Sequence, residues 1–243
     1  MKIAVCVSGA CRSGVKNRDF RRNYDNLKIC FPDADFYYGA WKGDEAIVEK
    51  HFSDQNVTYF DEPEMHYHPF IDIDMDENMG KLNKSISHAT SNLAFRERSS
   101  HQTKQIIAHC KLINTLPQKY DIIVRCRYDT IVYNGANFEQ YINSSYSSQC
   151  AIGFAVLKIK TDTNAFTNVQ EQCGNDYHRS FLFDQLIIYY NDLLNTAKVF
   201  EMHQQKKLIA AEHGWWQVLS GGIRHRCIAG WANPDKSVNT IFL

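Results

Sequence analysis

The sequence lacks an excess of either charge, because 27 basic and 27 acidic residues cancel over its 243 residues. No block of like charge occurs, so the chain has neither the basic patch typical of nucleic-acid binding nor the charged run of a solvated tail. Its apolar runs fall well short of the roughly 20 residues that a membrane span needs. We therefore expect no nucleic-acid partner and no membrane span.

The eight cysteines lack Cys-x-x-Cys spacing, which argues against a zinc knuckle or a redox pair. Cys6, Cys110 and Cys126 lie in apolar patterns, which indicates small buried hydrophobic residues. Thiols that form no bridge are the simplest interpretation, and they predict a reducing, cytoplasmic location. The first nine residues match a secretion signal too weakly to change that expectation.

Short β-rich runs alternate with helical patterns along the chain. The predicted strands and helices cover residues 2–7, 18–29, 35–41, 46–52, 57–60, 103–116, 122–124, 151–159, 181–189, 210–219 and 223–229, with Asn191 and Asp192 capping a further helix. This alternation predicts βαβ units and a mostly parallel sheet. No internal repeat is present, so we expect one domain over 1–243, with a long excursion or lid at about 64–100. His66 and His68 in that excursion lack an obvious third metal ligand.

The chain is organised around the stretch from Tyr120 to Tyr133. Residues 122–124 are apolar and β-branched, as in a strand buried on both faces. Arg125, Arg127 and Asp129 follow, and open α/β sheets bind ligands at the carboxyl ends of such strands. These charges suit a polyanion with a metal ion, such as a nucleotide diphosphate. A structural Arg–Asp ion pair at the strand end is the alternative.

The first predicted strand runs directly into Ser8, Gly9 and Arg12. A strand, a glycine-bearing loop with a basic residue and then a helix form a phosphate-binding layout. The spacing from Gly9 to Gly14 imitates a P-loop, but the Lys-Ser/Thr pair that should follow is missing. An ordinary strand-to-helix turn is equally compatible with this pattern.

Several stretches, in this order, resemble GT-A-type nucleotide-sugar glycosyltransferases of the phage, algal-virus and bacterial lipopolysaccharide-synthesis (WavE-like) kind. The matching stretches cover 3–12, 31–41, 120–129, 183–188 and 211–216. The resemblance implies an α/β, Rossmann-like GT-A fold with a mostly parallel central sheet flanked by helices. It also implies an enzyme, hexosyltransferase-like and metal-assisted, that moves a sugar from a nucleotide-sugar donor to a hydroxyl of a glycan or related acceptor.

The same resemblance suggests roles for individual residues. Ser8, Gly9, Arg12, Arg125, Arg127 and Asp129 are expected to bind the nucleotide sugar. Asp129 and His213 are the candidate ligands of Mn²⁺ or Mg²⁺, although Arg127 replaces the first aspartate of the usual Asp-x-Asp motif. A cation there repels a metal ion and can itself neutralise diphosphate. For His213 the alternative is a histidine on a helix surface.

Asp184 and Glu212 are the candidates for binding the acceptor or acting as general base. Asp184 stands among apolar residues in the sequence, and burial of that kind favours a carboxyl group that exchanges a proton near neutral pH. The alternative role for Asp184 is capping a neighbouring helix. Two other functions remain open: a non-catalytic nucleotide-sugar or glycan-binding module of the same fold, and a P-loop-like kinase or sulfotransferase.

Overall fold

The computed structural model describes residues 1–11, 20–52, 55–64, 93–128, 130–132, 137–157, 184–208, 211–219, 225–231 and 239–241. The strands are β1 (Ile3–Ser8), β2 (Asp35–Trp41), β3 (Val57–Phe60), β4 (Ile122–Cys126), β5 (Thr130–Val132), β6 (Ala151–Leu157), β7 (Leu186–Tyr190), β8 (His225–Trp231) and β9 (Asn239–Ile241). The helices are α1 (Phe20–Cys30), α2 (Glu45–Phe52), α3 (Leu93–Ile113), α4 (Glu139–Ser148), α5 (Thr196–Gln204) and α6 (Ala211–Leu219). None of these helices combines the length and the hydropathy that a bilayer-crossing segment needs.

Seven of the strands form one sheet in the order β3-β2-β1-β4-β7-β6-β8. The pairs β3–β2, β2–β1, β1–β4 and β6–β8 are parallel, whereas β7 runs antiparallel to both of its neighbours. β5 and β9 form a separate parallel pair. The α/β, Rossmann-like fold class predicted from the sequence, with a mostly parallel central sheet flanked by helices, is confirmed.

Apolar side chains cover both faces of this sheet. On one face α1, α2 and α4 contribute Leu27, Val48 and Ile142 to a buried cluster. On the other face α3, α5 and α6 pack against the sheet through a second cluster, which includes Ile106, Val199 and Trp215. All five residues of β4 are buried, as expected for the central strand of a sheet covered on both sides.

The chain reverses its direction of growth across the sheet between β1 and β4. From β1 it adds β2 and then β3 towards one edge, and after α3 it returns to add β4 on the other side of β1. Ser8 at the end of β1 and Cys126 at the end of β4 therefore finish side by side, since Val7 pairs with Cys126. In open α/β sheets this reversal opens a crevice at the carboxyl ends of the two strands.

Some element boundaries differ from the sequence-based prediction. Helix α3 begins at Leu93, not near Thr103, so it overlaps the last part of the predicted excursion; residues 65–92 lie outside the described residues. The residues it adds include leucine, alanine, arginine and glutamate, which favour helix even though their apolar periodicity is poor. Apolar periodicity alone therefore does not mark the start of this helix.

The predicted helix cap at Asn191 and Asp192 is wrong. These residues begin a 3-10 turn, Asn191–Leu193, and the side chain of Asn195 caps α5 instead. The Asn195 Oδ1 atom accepts a hydrogen bond from the backbone N–H of Lys198 at 3.0 Å, which satisfies one of the N–H groups at the helix start. Asn191 and Asn195 are both suitable N-cap residues by type, and the 3-10 turn that begins at Asn191 places Asn195 at the start of α5.

Candidate active site at the carboxyl ends of β1 and β4

The turn after β1 depends on a glycine. Gly9 has a φ of +123°, a conformation that side-chain-bearing residues rarely adopt. Its N–H donates to the carbonyl of Gly39 at 3.3 Å, and the N–H of Cys11 donates to Asp44 Oδ2 at 2.8 Å. Backbone groups thus tie the turn to β2 and to the residues that follow β2. Gly9 carries no Cβ atom, and glycine is the usual residue where a ligand approaches the backbone closely.

An ion pair stands at the carboxyl end of β4. Arg127 Nη1 lies 3.3 Å from Asp184 Oδ2, and the backbone N–H of Arg127 donates to the carbonyl of Gln185 at 3.3 Å. The Arg127 side chain is 23% exposed and that of Asp184 is 7% exposed. The burial expected for Asp184 is therefore present, although the residue precedes β7 and does not lie within it. The structure thus brings together two of the predicted site residues, a cation and a carboxylate, at the mouth of the crevice.

Ser8 and Arg125 lie in the interior, on the face of the sheet covered by α3 and α6. The Ser8 side chain is buried, with its Oγ 3.4 Å from Nδ1 of His109. Arg125 is 0% exposed, and its Nη2 donates to Gln105 Oε1 at 2.9 Å. The centre of its guanidinium lies 4.8 Å from the centre of the Trp215 ring. Their predicted contact with a ligand stays a prediction, and their burial supports an indirect role.

A buried histidine that the sequence analysis missed connects these elements. His109 of α3 is fully buried, with its Nε2 2.8 Å from the hydroxyl of Tyr189 and its ring edge-on to that of Trp215. Burial, and secondly the charge of Arg125, holds the pKa of His109 well below its usual 6.5, so the imidazole is neutral at physiological pH. Its place three residues after Ile106, on the apolar face of the helix, was the available signal.

The remaining predicted site residues cannot be placed in the crevice. Arg12 and Asp129 lie outside the described residues, as do the side chains of Glu212 and His213, whose backbone belongs to α6. His66 and His68 are outside them as well. Within the part of the chain that the structure describes, no three carboxylate, thiol or imidazole groups converge as metal ligands. The described residues therefore do not form a metal site by themselves.

Similarity to known proteins is found among solved structures and not among family models or curated sequences. No protein-family model and no curated protein sequence matches the chain. Among solved structures, the chain is similar to 4-diphosphocytidyl-2C-methyl-D-erythritol synthase from Anaerococcus prevotii (TM-score 0.49, 10% identity, 98% of this chain and 90% of that one). It is also similar to a nucleoside-diphosphate-sugar pyrophosphorylase from Vibrio cholerae (TM-score 0.46, 8% identity, 93% of this chain and 92% of that one). A third similar structure is the M. tuberculosis glucosyl-3-phosphoglycerate synthase (TM-score 0.37, 8% identity, 97% of this chain and 73% of that one).

Proposed function

We propose that the chain is a glycosyltransferase that moves a sugar from a nucleotide-diphosphate sugar to a hydroxyl of a glycan or related acceptor. The observation that carries the proposal is the reversal of the sheet between β1 and β4, with a glycine turn on one strand end and an arginine on the other. Ligands of open α/β sheets bind at such a reversal. A backbone turn and a guanidinium suit the diphosphate of a sugar nucleotide.

The leaving diphosphate gains negative charge as the sugar departs, and stabilising that charge is usually the largest contribution to such a reaction. Arg127 is well placed for this role, because its partly exposed guanidinium can bond a phosphate oxygen while remaining near Asp184. Arg12 and Asp129, with Mn²⁺ or Mg²⁺, are the further candidates. Their part in the mechanism is inferred from the sequence alone.

The acceptor must lose a proton as its oxygen attacks. In the proposed step, the proton passes to a carboxylate, the acceptor oxygen forms a bond to the anomeric carbon, and the bond from that carbon to the diphosphate breaks with its electrons. Asp184 and Glu212 are the candidate bases. Asp184 is favoured by its position beside Arg127, where the phosphate is expected.

The finer assignment to the WavE-like kind, with a reducing cytoplasmic setting, is part of the same proposal. It is supported by the order of the matching stretches and by Cys6 and Cys110, whose thiols are buried and form no disulfide in the structure. Burial raises the pKa of both thiols far above its ordinary value, so they stay protonated. Such thiols serve packing and need no oxidising compartment.

A ligand panel tests the proposal directly. UDP, GDP, CDP, their sugars and the corresponding triphosphates, each with and without Mn²⁺, are added to the wild-type protein and to Arg127→Gln, and the thermal midpoint is measured. A ligand at 100 times its Kd adds about 2.7 kcal/mol, which corresponds to roughly 5–10 °C for a domain of this size. Loss of a charged bond to phosphate in Arg127→Gln should weaken binding by roughly tenfold or more.

Lys119→Gln is the matched control. Lys119 is an exposed cation that pairs with Asp192 at 2.7 Å, and it precedes β4, at the opposite end of the strand from Arg127. The Lys119→Gln protein should show the same ligand-induced rise of the thermal midpoint as the wild type. Absence of any shift by a nucleoside diphosphate, or an equal shift in both variants, would contradict the proposal. Binding without sugar transfer or donor hydrolysis favours the non-catalytic module, and preference for a nucleoside triphosphate favours the kinase alternative.

A further inference from the structure

Arg125 occupies an unusual place for a charged residue, in the middle of a buried strand. Its neighbours in the register are Cys6 of β1 and Ile187 of β7, so its side chain leaves the sheet between two apolar strands. It is 0% exposed, whereas Arg127, two residues later on the same face, reaches solvent. A buried guanidinium is costly to desolvate, so its contacts have to be organised.

The first of these contacts leads to the turn after β1. Gln105 of α3 accepts a hydrogen bond from Arg125 Nη2 through its Oε1 atom at 2.9 Å. The same side chain borders Gly9, since a Cβ atom built on Gly9 would lie 3.7 Å from Gln105 Cγ. Gln105 therefore lies between Arg125 and the backbone of the turn. A shift of the guanidinium changes the support of that turn.

The second contact leads to helix α6. The Arg125 guanidinium lies over the ring of Trp215, which is fully buried and also meets the ring of His109. A planar guanidinium on an aromatic face fixes both the distance and the tilt of the two groups. Glu212 and His213 precede Trp215 by three and two residues in the same helix. Because Trp215 belongs to α6, its contact with Arg125 holds this helix against the face of the sheet.

We propose that Arg125 is a positioning residue of the candidate site, which holds the Ser8-Gly9 turn through Gln105 and helix α6 through Trp215. The inference rests on the proposed function, because it takes the turn and α6 as two walls of the nucleotide-sugar crevice. Arg125 itself touches no substrate in this arrangement. It sets the distance between the walls from beneath the crevice, and Arg127, directly after the carboxyl end of β4, meets the ligand.

The test combines amide hydrogen exchange with kinetics. Arg125→Met removes both contacts. Arg125→Lys keeps the positive charge but loses the guanidinium that lies over Trp215. Gln105→Met removes only the link to the turn. Exchange is followed in peptides covering residues 8–11 and 211–219, with residues 57–60 of β3 as the internal reference. Tyr120→Phe is the control, since Tyr120 lies at the amino end of β4 and its hydroxyl donates to Asp35 at 2.7 Å.

In both Arg125 variants, amide hydrogens should exchange faster in residues 8–11 and in residues 211–219. Gln105→Met should speed exchange only in residues 8–11, and Tyr120→Phe should speed it in neither segment. The loss in turnover should appear in kcat, by up to about a hundredfold for a displacement near 1 Å, with KM for the donor little changed. Uniformly faster exchange, including β3, or none in either segment, would overturn the positioning role. So would an Arg125→Lys protein identical to wild type, or a variant whose donor KM rises while kcat holds.

The exchange measurements need no ligand, so they judge the two links even if no nucleotide binds. A wild-type protein that binds no nucleoside diphosphate would remove the proposed function alone. Gln105→Met keeps the test available if Arg125→Met does not fold, because Gln105 is only partly buried.

Discussion

His109 should make the folded protein sensitive to mild acid. It is buried between Ser8 and Tyr189, and its pKa lies well below the ordinary 6.5, first because of burial and then because of Arg125. The unfolded chain takes up a proton on this imidazole as the pH falls through 6.5, and the folded protein does not until much lower pH. Stability contributed by neutral His109 is therefore fully present above 6.5 and is lost progressively below it.

The size of the effect follows from the proton balance. Between about pH 7.5 and 5.5 an imidazole of ordinary pKa goes from roughly one-tenth to nine-tenths protonated in the unfolded chain. Integrated over that interval, the unfolded state gains about 1.4 kcal/mol relative to a folded state that stays neutral. The loss continues at about 1.4 kcal/mol per pH unit until the folded pKa is reached.

His109→Gln isolates this contribution. The amide cannot be protonated in this range, so the variant should lack this part of the acid sensitivity, while the other nine histidines titrate alike in both proteins and cancel. At neutral pH the substitution should itself cost about 1–2 kcal/mol through weakened contacts to Ser8 and Tyr189. The difference in unfolding free energy between wild type and variant, measured by urea titration, should then shrink by about 1.4 kcal/mol at pH 5.5.

A second buried polar residue supplies the control. Asn26 of α1 donates to the carbonyl of Val132 on the opposite face of the sheet and has no titrating group. Asn26→Leu should therefore lose the same free energy at both pH values. If the gap between wild type and His109→Gln is also equal at the two pH values, within about 0.3 kcal/mol, the imidazole is not held neutral and the reasoning fails.

The sequence predicts the strands of this sheet well and their directions only in part. The apolar β-branched run of β4 requires burial on both faces, and the structure buries all of it. The intervals between β1, β2 and β3 leave room only for crossover helices, so their parallel pairing was predictable. The antiparallel direction of β7 was not, because an apolar run such as Leu186–Tyr190 is compatible with either direction.

That direction also explains why the ion pair of the site escaped prediction. Arg127 and Asp184 are 57 residues apart, and they meet because the carboxyl end of β4 lies beside the amino end of the antiparallel β7. Local charge patterns marked both residues as candidates but not as partners. The local pattern suggests instead an Arg–Asp pair within the strand-end cluster itself. Pairing across strands depends on register, which no local window contains.

The different burial of Arg125 and Arg127 has the same origin. Arg125 lies in β4 and Arg127 directly follows it, and the alternation of a strand continued to Arg127 would give both residues the same side, so a local pattern does not distinguish them. The two arginines differ in the side chains that pack over them. Trp215 of α6 and Gln105 of α3 lie over Arg125, and neither residue belongs to the local stretch around β4. A pattern of residues thus predicts a charged strand end, and tertiary packing decides which charge faces the crevice.

Two further substitutions test the packing and the ion pair. A Cβ atom on Gly39 would lie 3.0 Å from the Phe60 ring, so Gly39→Ala should lower the free energy of unfolding in urea by about 1–3 kcal/mol. Adding Phe60→Leu to this variant should restore part of the lost stability. No recovery would contradict the contact. Gly43→Ala is the control, with φ at +100° but no atom within 4 Å: it should show about 1–2 kcal/mol of backbone strain alone. Arg127→Ala should cost about 2 kcal/mol, because it leaves the buried carboxylate of Asp184 without its guanidinium. The 3.3 Å separation is long for a charged hydrogen bond, so a double-mutant cycle with Asp184→Ala should give a coupling of only about 1 kcal/mol. A coupling within about 0.3 kcal/mol of zero would mean that the two charges, though adjacent, do not stabilise the crevice mouth.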